Sequence, residues 1–479
     1  MNVIILIPAL ACWLVLARGS IRQAFIYVYL PAVLLLPHYY VFRPPHMPPL
    51  AFSEAAILPL GIAMFATELR RWRLQWMDLW VLLFALAAAA SEGLSAQLAY
   101  GNWVRLFTAD STASTILTYN INNGIFQFFT GLTTIILPYM VGKLLIEGGE
   151  IGGVPVRKVF VRRMVMMLAV VAAISVFDFL TGTSSWQRVF GHVFPGQEVD
   201  WPQQVRWGFG RIAGPFAHAI LAGMVFLTGL FYCLWLRMAD PKWGTRRVLS
   251  GLPLTQRGLG LAGVFAGLLM TQSRGPWLGV ALSLLLALLV RVFSVRKAAV
   301  AFVVLLAVLG SMAFVAGDKY TTGSRDEATS EAQSSAIYRR QLLQSYTPLV
   351  KERMAFGWGI SDYPAANGQR SIDNQFLMLA VTQGFVGMGL FLIIAVGSGI
   401  RLVQMAARPM LPEDRMLVYA HMAVLIGLMT TLTTVYMGEQ VVMVFFLLIG
   451  WVQGMNPARV QARVAGTVAP QFRFRRVLS

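Results

Sequence analysis

Arginine is the residue type whose placement points to chemistry in this chain. Arg211 begins the run Arg211-Ile212-Ala213-Gly214-Pro215-Phe216, with His218 two residues on, and Arg274 stands in Thr271-Gln272-Ser273-Arg274-Gly275-Pro276-Trp277. Arg206 precedes the first run. Arg339 lies in a long polar stretch that returns through Phe356-Gly357-Trp358-Gly359 to Ser371-Ile372-Asp373-Asn374. Planar guanidinium groups match phosphate oxygens in bidentate geometry, so several of them gathered on one face would bind an anionic ligand. Plainer readings stand beside this one. Arg274 next to Trp277 fits an interfacial arginine reaching for headgroups, and Ser371, Asp373 and Asn374 are ordinary helix starters.

The elements that must position these residues are membrane helices. The 479 residues are 57% hydrophobic and 13% charged, with mean hydropathy +0.64, against roughly 25% charged residues in soluble domains. Apolar runs near the length of about 20 residues that crosses a bilayer recur from Asn2 to Met455. They place thirteen spans at about 2–17, 23–37, 51–69, 77–98, 124–146, 159–180, 212–236, 258–273, 276–293, 298–316, 374–400, 416–436 and 439–455. The first run lacks a basic leader and a small-residue cleavage site and is read as a retained span. No ladder of alternating ten-residue strands is present, so the expected fold is an all-α polytopic membrane protein of about 12–13 transmembrane helices.

The net charge of +18 could suggest nucleic acid, but position decides against it. Of the 39 Lys and Arg residues, 26 fall in clusters that alternate with the spans, as cytoplasmic loops do. With those clusters inside, the carboxyl terminus is cytoplasmic and the amino terminus external. The chain then divides into a bundle over 1–316, an external loop over 317–373, the last spans over 374–455 and a basic tail over 456–479. The remaining 13 basic residues (39 − 26) face outward, and Arg206, Arg211, Arg274, Arg339, Arg43, Arg105 and Arg370 are among them. An arginine at membrane depth costs about 2.5–3.5 kcal/mol on insertion scales, so it is usually kept for a partner. Within the loop, Ile337, Leu342, Tyr346, Leu349, Val350 and Met354 recur at helical spacing. They predict an amphipathic helix against the outer membrane surface, kinked or divided at Pro348.

Other signals are weaker. Cys12 and Cys233 sit in apolar spans and read as packing residues. Glu198-Val199-Asp200 imitates a divalent-metal pair but lacks further ligands. Glu439, at the outer end of the last span, is placed to orient a sugar or to pair with a basic neighbour. No phosphate-binding glycine loop, nucleotide fold or zinc spacing occurs.

Taken in order, the Arg211-to-Phe216 run, the Thr271-to-Gly275 break, Arg339 ahead of Phe356-Gly357-Trp358-Gly359, and Asn374 with Phe376 resemble the O-antigen ligase and O-antigen polymerase superfamily over roughly residues 160–450. The resemblance implies a GT-C-like, metal-independent glycosyltransferase without a cofactor, acting on the periplasmic side of a bacterial inner membrane. It would move a glycan from undecaprenyl diphosphate to an acceptor sugar hydroxyl. Arg211, Arg274 and Arg339 would stabilise the leaving diphosphate, Arg206, Asn374 and Glu439 would contact substrate, and a general base would serve the acceptor. The ligase branch usually has a histidine just before the junction Asn; here that residue is Asp373. This departure favours a polymerase of exopolysaccharide or O-antigen repeats over a ligase to lipid A-core. His218 is a second candidate base, although a lone histidine on an apolar segment is more often a packing residue. Partners would be the lipid-linked glycan, an acceptor glycan or lipid A-core, membrane lipid and components of a polysaccharide export pathway, and no nucleic acid. A transporter of lipid-linked or anionic glycans is the alternative of another class; the spans at 276–293 and 298–316 lack the interior charges it would need. A scaffold of an export complex ranks last.

Overall fold

The computed structural model describes residues 2–44, 48–94, 122–197, 204–248, 255–321, 323, 325–361, 363–366 and 371–455. Eight helices among them are long and apolar enough to cross a membrane. These are α4 (Trp76–Gly93), α5 (Asn122–Leu145), α6 (Val156–Thr181), α8 (Ala219–Ala239), α10 (Arg274–Val292), α11 (Val295–Tyr320), α14 (Gly384–Ala406) and α15 (Pro412–Leu432). Five shorter apolar helices accompany them: α1 (Val3–Arg18), α2 (Ile21–Leu35), α3 (Phe52–Thr67), α9 (Gln256–Met270) and α16 (Glu439–Gly454). The remaining helices, α7 (Ser185–Val193), α12 (Glu331–Glu352) and α13 (Gln375–Thr382), belong to the connections. Among the described residues strand is confined to three two-residue antiparallel hairpins, β1 (Val41–Phe42) with β2 (Leu50–Ala51), β3 (Glu150–Ile151) with β4 (Val154–Pro155), and β5 (Val205–Arg206) with β6 (Phe209–Gly210), the last of which matters for the site. The chain is an all-α polytopic membrane protein.

The core is organised around α16. Thirteen of its residues are buried, from Gln440 to Gln453, so it is enclosed on all sides. It lies closest to α5, and the approach is set by glycine. A Cβ on Gly450 would strike the Tyr139 carbonyl, one on Gly454 the Lys143 carbonyl, and one on Gly142 the Leu447 carbonyl. Gly450 and Gly454 are four apart and share a helix face, the small-xxx-small arrangement that lets backbones meet where lipid supplies no hydrophobic drive.

At one end of the bundle the basic clusters are neutralised by carboxylates. Arg157 contacts Asp414 at 2.7 Å and Glu413 at 2.8 Å, Lys158 contacts Glu413 at 3.2 Å, and Arg162 pairs with Asp240. Lys143 meets Asp78 at 2.6 Å, and Arg22 meets Glu68 at 3.3 Å. The loops that the charge pattern groups together therefore share one end. The other end carries the breaks and loops described below. Both cysteines are buried and free.

Three expectations are corrected. Arg211 does not open a helix: residues 211–218 are irregular, with Gly214 at φ +60 against Val171, and α8 begins only at Ala219. The span expected over 374–400 is divided at Gly384 (φ +65) into α13 and α14, because the loop segment 354–359 crosses the join; Phe385 N donates to the Met354 carbonyl at 2.7 Å. Finally, α12 is one helix through Pro348 and its apolar face is covered by protein. Ile337, Leu342, Tyr346 and Val350 are buried, the last three packing with Trp358, Ile372, Leu377 and Val381. Pro348 leaves the carbonyl four residues earlier without its intrahelical donor, yet the helix continues past it to Glu352.

Replacing Gly450 by Leu inserts a side chain where no Cβ fits, and overpacking of this kind costs about 1–3 kcal/mol or more. The variant is expected to lose monodispersity or several degrees of melting temperature in detergent, whereas Gly310→Ala, with open space around it, changes neither.

Candidate functional site

The site is built on the break between α9 and α10. The helix α9 ends as Thr271 Oγ donates to the Leu268 carbonyl at 2.7 Å, and Gln272 then adopts φ +48. That left-handed conformation costs a non-glycine residue on the order of 1–3 kcal/mol. It reverses the chain so that Arg274 becomes the first residue of α10. The start of α10 is locked by close contacts. A Cβ on Gly275 would lie 2.6 Å from Thr434 Oγ, Pro276 packs against Gly223, and Gly279 faces the backbone of Gly427. Trp277 Nε1 donates to the Leu268 carbonyl at 3.1 Å. The Arg274 backbone is thus fixed while its side chain stays exposed, and among the described residues it has no hydrogen-bond or ion-pair partner.

Two further arginines are fastened to the carbonyls of this break. The β5–β6 hairpin turns at Trp207 (φ +53) and Gly208 (φ +81), the double left-handed turn that suits a two-residue hairpin. Trp207 stacks on Trp277 with centroids 6.0 Å apart. Arg206, beside it, donates from Nη1 to the Gln272 carbonyl at 2.7 Å, and its Nε lies 3.6 Å from Glu331 of α12. Arg211 donates from Nε to the Thr271 carbonyl at 3.2 Å, from Nη2 to Ser273 Oγ at 3.0 Å, and from Nη1 to Gln204. It is 6% exposed. Burial, followed by the neighbouring charges of Arg206 and Arg274, brings its pKa down to about 10 against the opposing pull of Glu331.

The long loop supplies the opposite wall. On α12, Arg339 acts electrostatically on Asp373, Arg274 and Arg206. Asp373 accepts from Ser371 Oγ at 3.2 Å, and Ser371 is tied back to α12 through Tyr338. Burial raises the Asp373 carboxyl above the ordinary carboxylate range, while Ser371 and Arg339 work the other way. The loop is anchored by Glu92, a buried residue of α4 that accepts from the amides of Ile360 at 2.6 Å and Ser361 at 3.1 Å. Arg353 lies over the Trp358 ring at 4.0 Å.

The residues singled out in the sequence fall into two groups. Arg206, Arg211, Arg274, Arg339 and Asp373 converge. His218 and Asn374 serve as helix caps: His218 Nδ1 accepts from Ile220 N at 3.2 Å, and Asn374 Oδ1 accepts from Phe376 N at 2.9 Å and Leu377 N at 3.1 Å. Burial and the adjacent Arg211 and Arg206 push His218 down to about 4, which makes it a weak base. Glu439 is paired with His38, at 3.0 Å. Sequence reasoning missed Glu331, Glu92, Tyr436 and His38, whose only signal was position at an outer helix end. Glu198, Asp200, Arg105 and Arg370 lie outside the described residues.

A multi-pass helical protein presenting clustered guanidinium groups at one end is the class these features define. Residues 259–392 match the family model for O-antigen ligase, so this part of the chain is similar to an O-antigen ligase domain. The match supports glycosyl transfer of the O-antigen ligase and polymerase type. The matched segment holds Arg274, Arg339, Asp373 and Asn374, while Arg206, Arg211, His218 and Glu439 come from outside it. No curated protein matches the chain.

Arg211→Lys keeps the charge but cannot reach Thr271 and Ser273 together, so it is expected to lower both melting temperature and affinity for undecaprenyl diphosphate. Arg274→Lys is expected to leave the melting temperature unchanged and weaken that affinity about tenfold. Thermal unfolding and a lipid-diphosphate binding assay on both variants check this.

Proposed function

We propose that this protein transfers a glycan from undecaprenyl diphosphate to an acceptor sugar hydroxyl on the periplasmic face of a bacterial inner membrane, polymerising repeat units of an exopolysaccharide or O-antigen. The observation that carries the proposal is the convergence of Arg206, Arg211, Arg274 and Arg339, with Glu331 and Asp373 the carboxylates that act on them. That excess of positive charge suits a diphosphate. The orientation rests on the basic clusters gathered at the opposite end, as cytoplasmic loops are.

In the reaction the bond between the anomeric carbon and the phosphate oxygen breaks and a bond to the acceptor oxygen forms. Negative charge grows on the departing diphosphate, where Arg211 and Arg206, already fixed by the break, stabilise it without reorganisation. Arg274 and Arg339, with more freedom, follow the phosphate oxygens. Asp373 takes the acceptor proton; a carboxyl raised by burial is a better base than an ordinary one. The guanidinium groups supply the charge stabilisation that a divalent ion supplies elsewhere, so turnover is expected to survive EDTA.

Reconstituted protein given lipid-diphosphate-linked repeat units alone is expected to make a ladder of products, abolished in Arg274→Ala and strongly reduced in Asp373→Asn. Transfer that appears only after lipid A-core is added would support a ligase instead, and no turnover with either acceptor would overturn glycosyl transfer.

The pH dependence has a definite sign. Only the ionised Asp373 accepts a proton, so activity falls as pH drops through its raised pKa. Arg339 holds that pKa down, so Arg339→Gln is expected to move the acid limb of kcat/KM to higher pH, and Asp373→Asn to remove the limb.

A further inference from the structure

We propose that Glu439 and Tyr436 form, with Asp373, the subsite that holds the hydroxyls of the acceptor sugar, and that His38 is the positioning residue that fixes Glu439 in it. The proposal rests on the glycosyl-transfer reading above.

Glu439 is the first residue of the central helix α16. The residues that follow it are enclosed, Gln440 at 5% and Val441 at 1% exposure, yet 60% of the Glu439 side chain is accessible. The start of the central helix therefore presents an accessible carboxylate at this end of the bundle. Oε2 of that carboxylate meets His38 Nδ1 at 3.0 Å, and Oε1 has no partner among the described residues. Tyr436, three residues before the start of α16 on the same turn as Gly438, feels the carboxylates of both Glu439 and Asp373. Burial first, and then those charges, raise its pKa and keep it a neutral hydroxyl. Gln375, two residues after Asp373, accepts from Met437 N at 2.5 Å, which ties the loop junction to this turn. Carboxylate oxygens beside a phenol suit neighbouring hydroxyls of a sugar ring, which donate to the former and accept from the latter.

His38 is built to hold Glu439. It sits just past α2, on a segment pinned to α16 by Gln440 Nε2, which donates to the carbonyls of Val33 and Leu36. Behind it lies Glu54, 3% exposed, which accepts from Ala51 N at 2.9 Å and Thr133 Oγ at 3.0 Å. The imidazole thus contacts the accessible carboxylate of Glu439 and feels the charge of the sealed Glu54. Its far nitrogen, Nε2, is buried without a partner in the described structure. An imidazole kept for its own hydrogen bonding would be half satisfied there; its function is what Nδ1 does for Glu439. Burial opposes charge on His38, but Glu439 and then Glu54 outweigh it and raise the pKa. Those two carboxylates are the charged groups that face it.

The test is steady-state transfer by the full-length protein in liposomes, with lipid-diphosphate-linked repeat unit from the producing cells as donor and the free repeat-unit oligosaccharide as acceptor. His38→Ala and Glu439→Gln are each expected to raise the acceptor KM about tenfold or more and to leave the donor KM unchanged. His38→Gln, whose amide can still donate to Oε2, is expected to recover most of the loss. The double variant His38→Ala/Glu439→Gln should be no worse than either single one, because both remove the same interaction. In the wild type the acceptor KM should rise as pH passes upward through the His38 titration, and in His38→Gln it should not. An unchanged acceptor KM in Glu439→Gln, or equal changes in both KM values with a lowered melting temperature, would overturn the subsite; Glu439→Gln keeps the test available if His38→Ala does not fold. Donor binding, followed separately with undecaprenyl diphosphate, separates the two readings. Binding that survives in His38→Ala while the acceptor effects are missing sinks this inference alone, and wild type that neither binds nor transfers sinks both.

Discussion

A buried guanidinium fastened to the oxygens of a chain break is the constraint on which the site end of this protein depends. Arg211 is enclosed, and its bonds run to the neutral oxygens of Thr271, Ser273 and Gln204. Removing a cation from water on these terms is unfavourable, and the nearby Arg206 and Arg274 make it more so. The backbone is arranged to accept it. The non-glycine residues with positive φ among the described residues are Trp207 and Gln272, and Arg206 links them by standing next to the first and donating to the carbonyl of the second. Strain at both turns lets their carbonyls and rings face inward. It is offset by the Trp207–Trp277 stack and by the close seating of Gly275, Pro276 and Gly279.

The two ends of the bundle make opposite use of charge. Where the basic clusters meet, Arg157 alone contacts Asp414 and Glu413 and lies 3.8 Å from Glu147, and Lys143 is enclosed by Asp78 and the Arg73 carbonyl. Cations there are paired with carboxylates and serve as clamps between helices. At the site end, the arginines repel one another and two carboxylates partly relieve them. Breaking a buried pair leaves one group uncompensated, so the clamps add structural specificity, whereas the gathered guanidinium groups at the site end suit an anion. One chain can hold both because glycine-mediated packing of α16 on α5 fixes the helices independently of either charge set.

Much of this was legible in the sequence, and the failures have identifiable causes. Apolar runs gave the helices well because lipid imposes one length and one hydrogen-bonding solution on every span. The Ser273-Arg274-Gly275 break was visible because almost no loop separates two apolar runs. Hydropathy alone extended the span at 212–236 over an irregular stretch, since Ile212, Ala213 and Phe216 are apolar although Gly214-Pro215 prevents helix there. It also hid the division at Gly384, which depends on a loop segment arriving from thirty residues earlier. The apolar stripe of α12 was read correctly as a stripe and assigned to lipid, because periodicity says that a face is buried and not what buries it. His38 was invisible for a different reason. Its partners Glu54 and Glu439 are respectively 16 and 401 residues away, and a single histidine at a helix end carries no pattern.

The loop is better understood as one wall of the site than as a cover over it. Its hydrophobic face is spent on Trp358, Ile372 and Val381, its turn is gripped by Glu92, and it delivers Glu331 to Arg206 and Arg339 to Asp373. Stabilising developing charge works best when the groups involved are fixed beforehand. The four arginines divide accordingly. Arg206 and Arg211 are held by the α9–α10 break and cannot follow a ligand, whereas Arg274 and Arg339 project from helices with exposed side chains. On the proposed reading, the rigid pair would set where a diphosphate lies and the adaptable pair would close on its remaining oxygens. That division would let one site accept a bulky lipid-linked glycan and still meet the leaving group in a defined position, with the Asp373 carboxyl serving the acceptor hydroxyl.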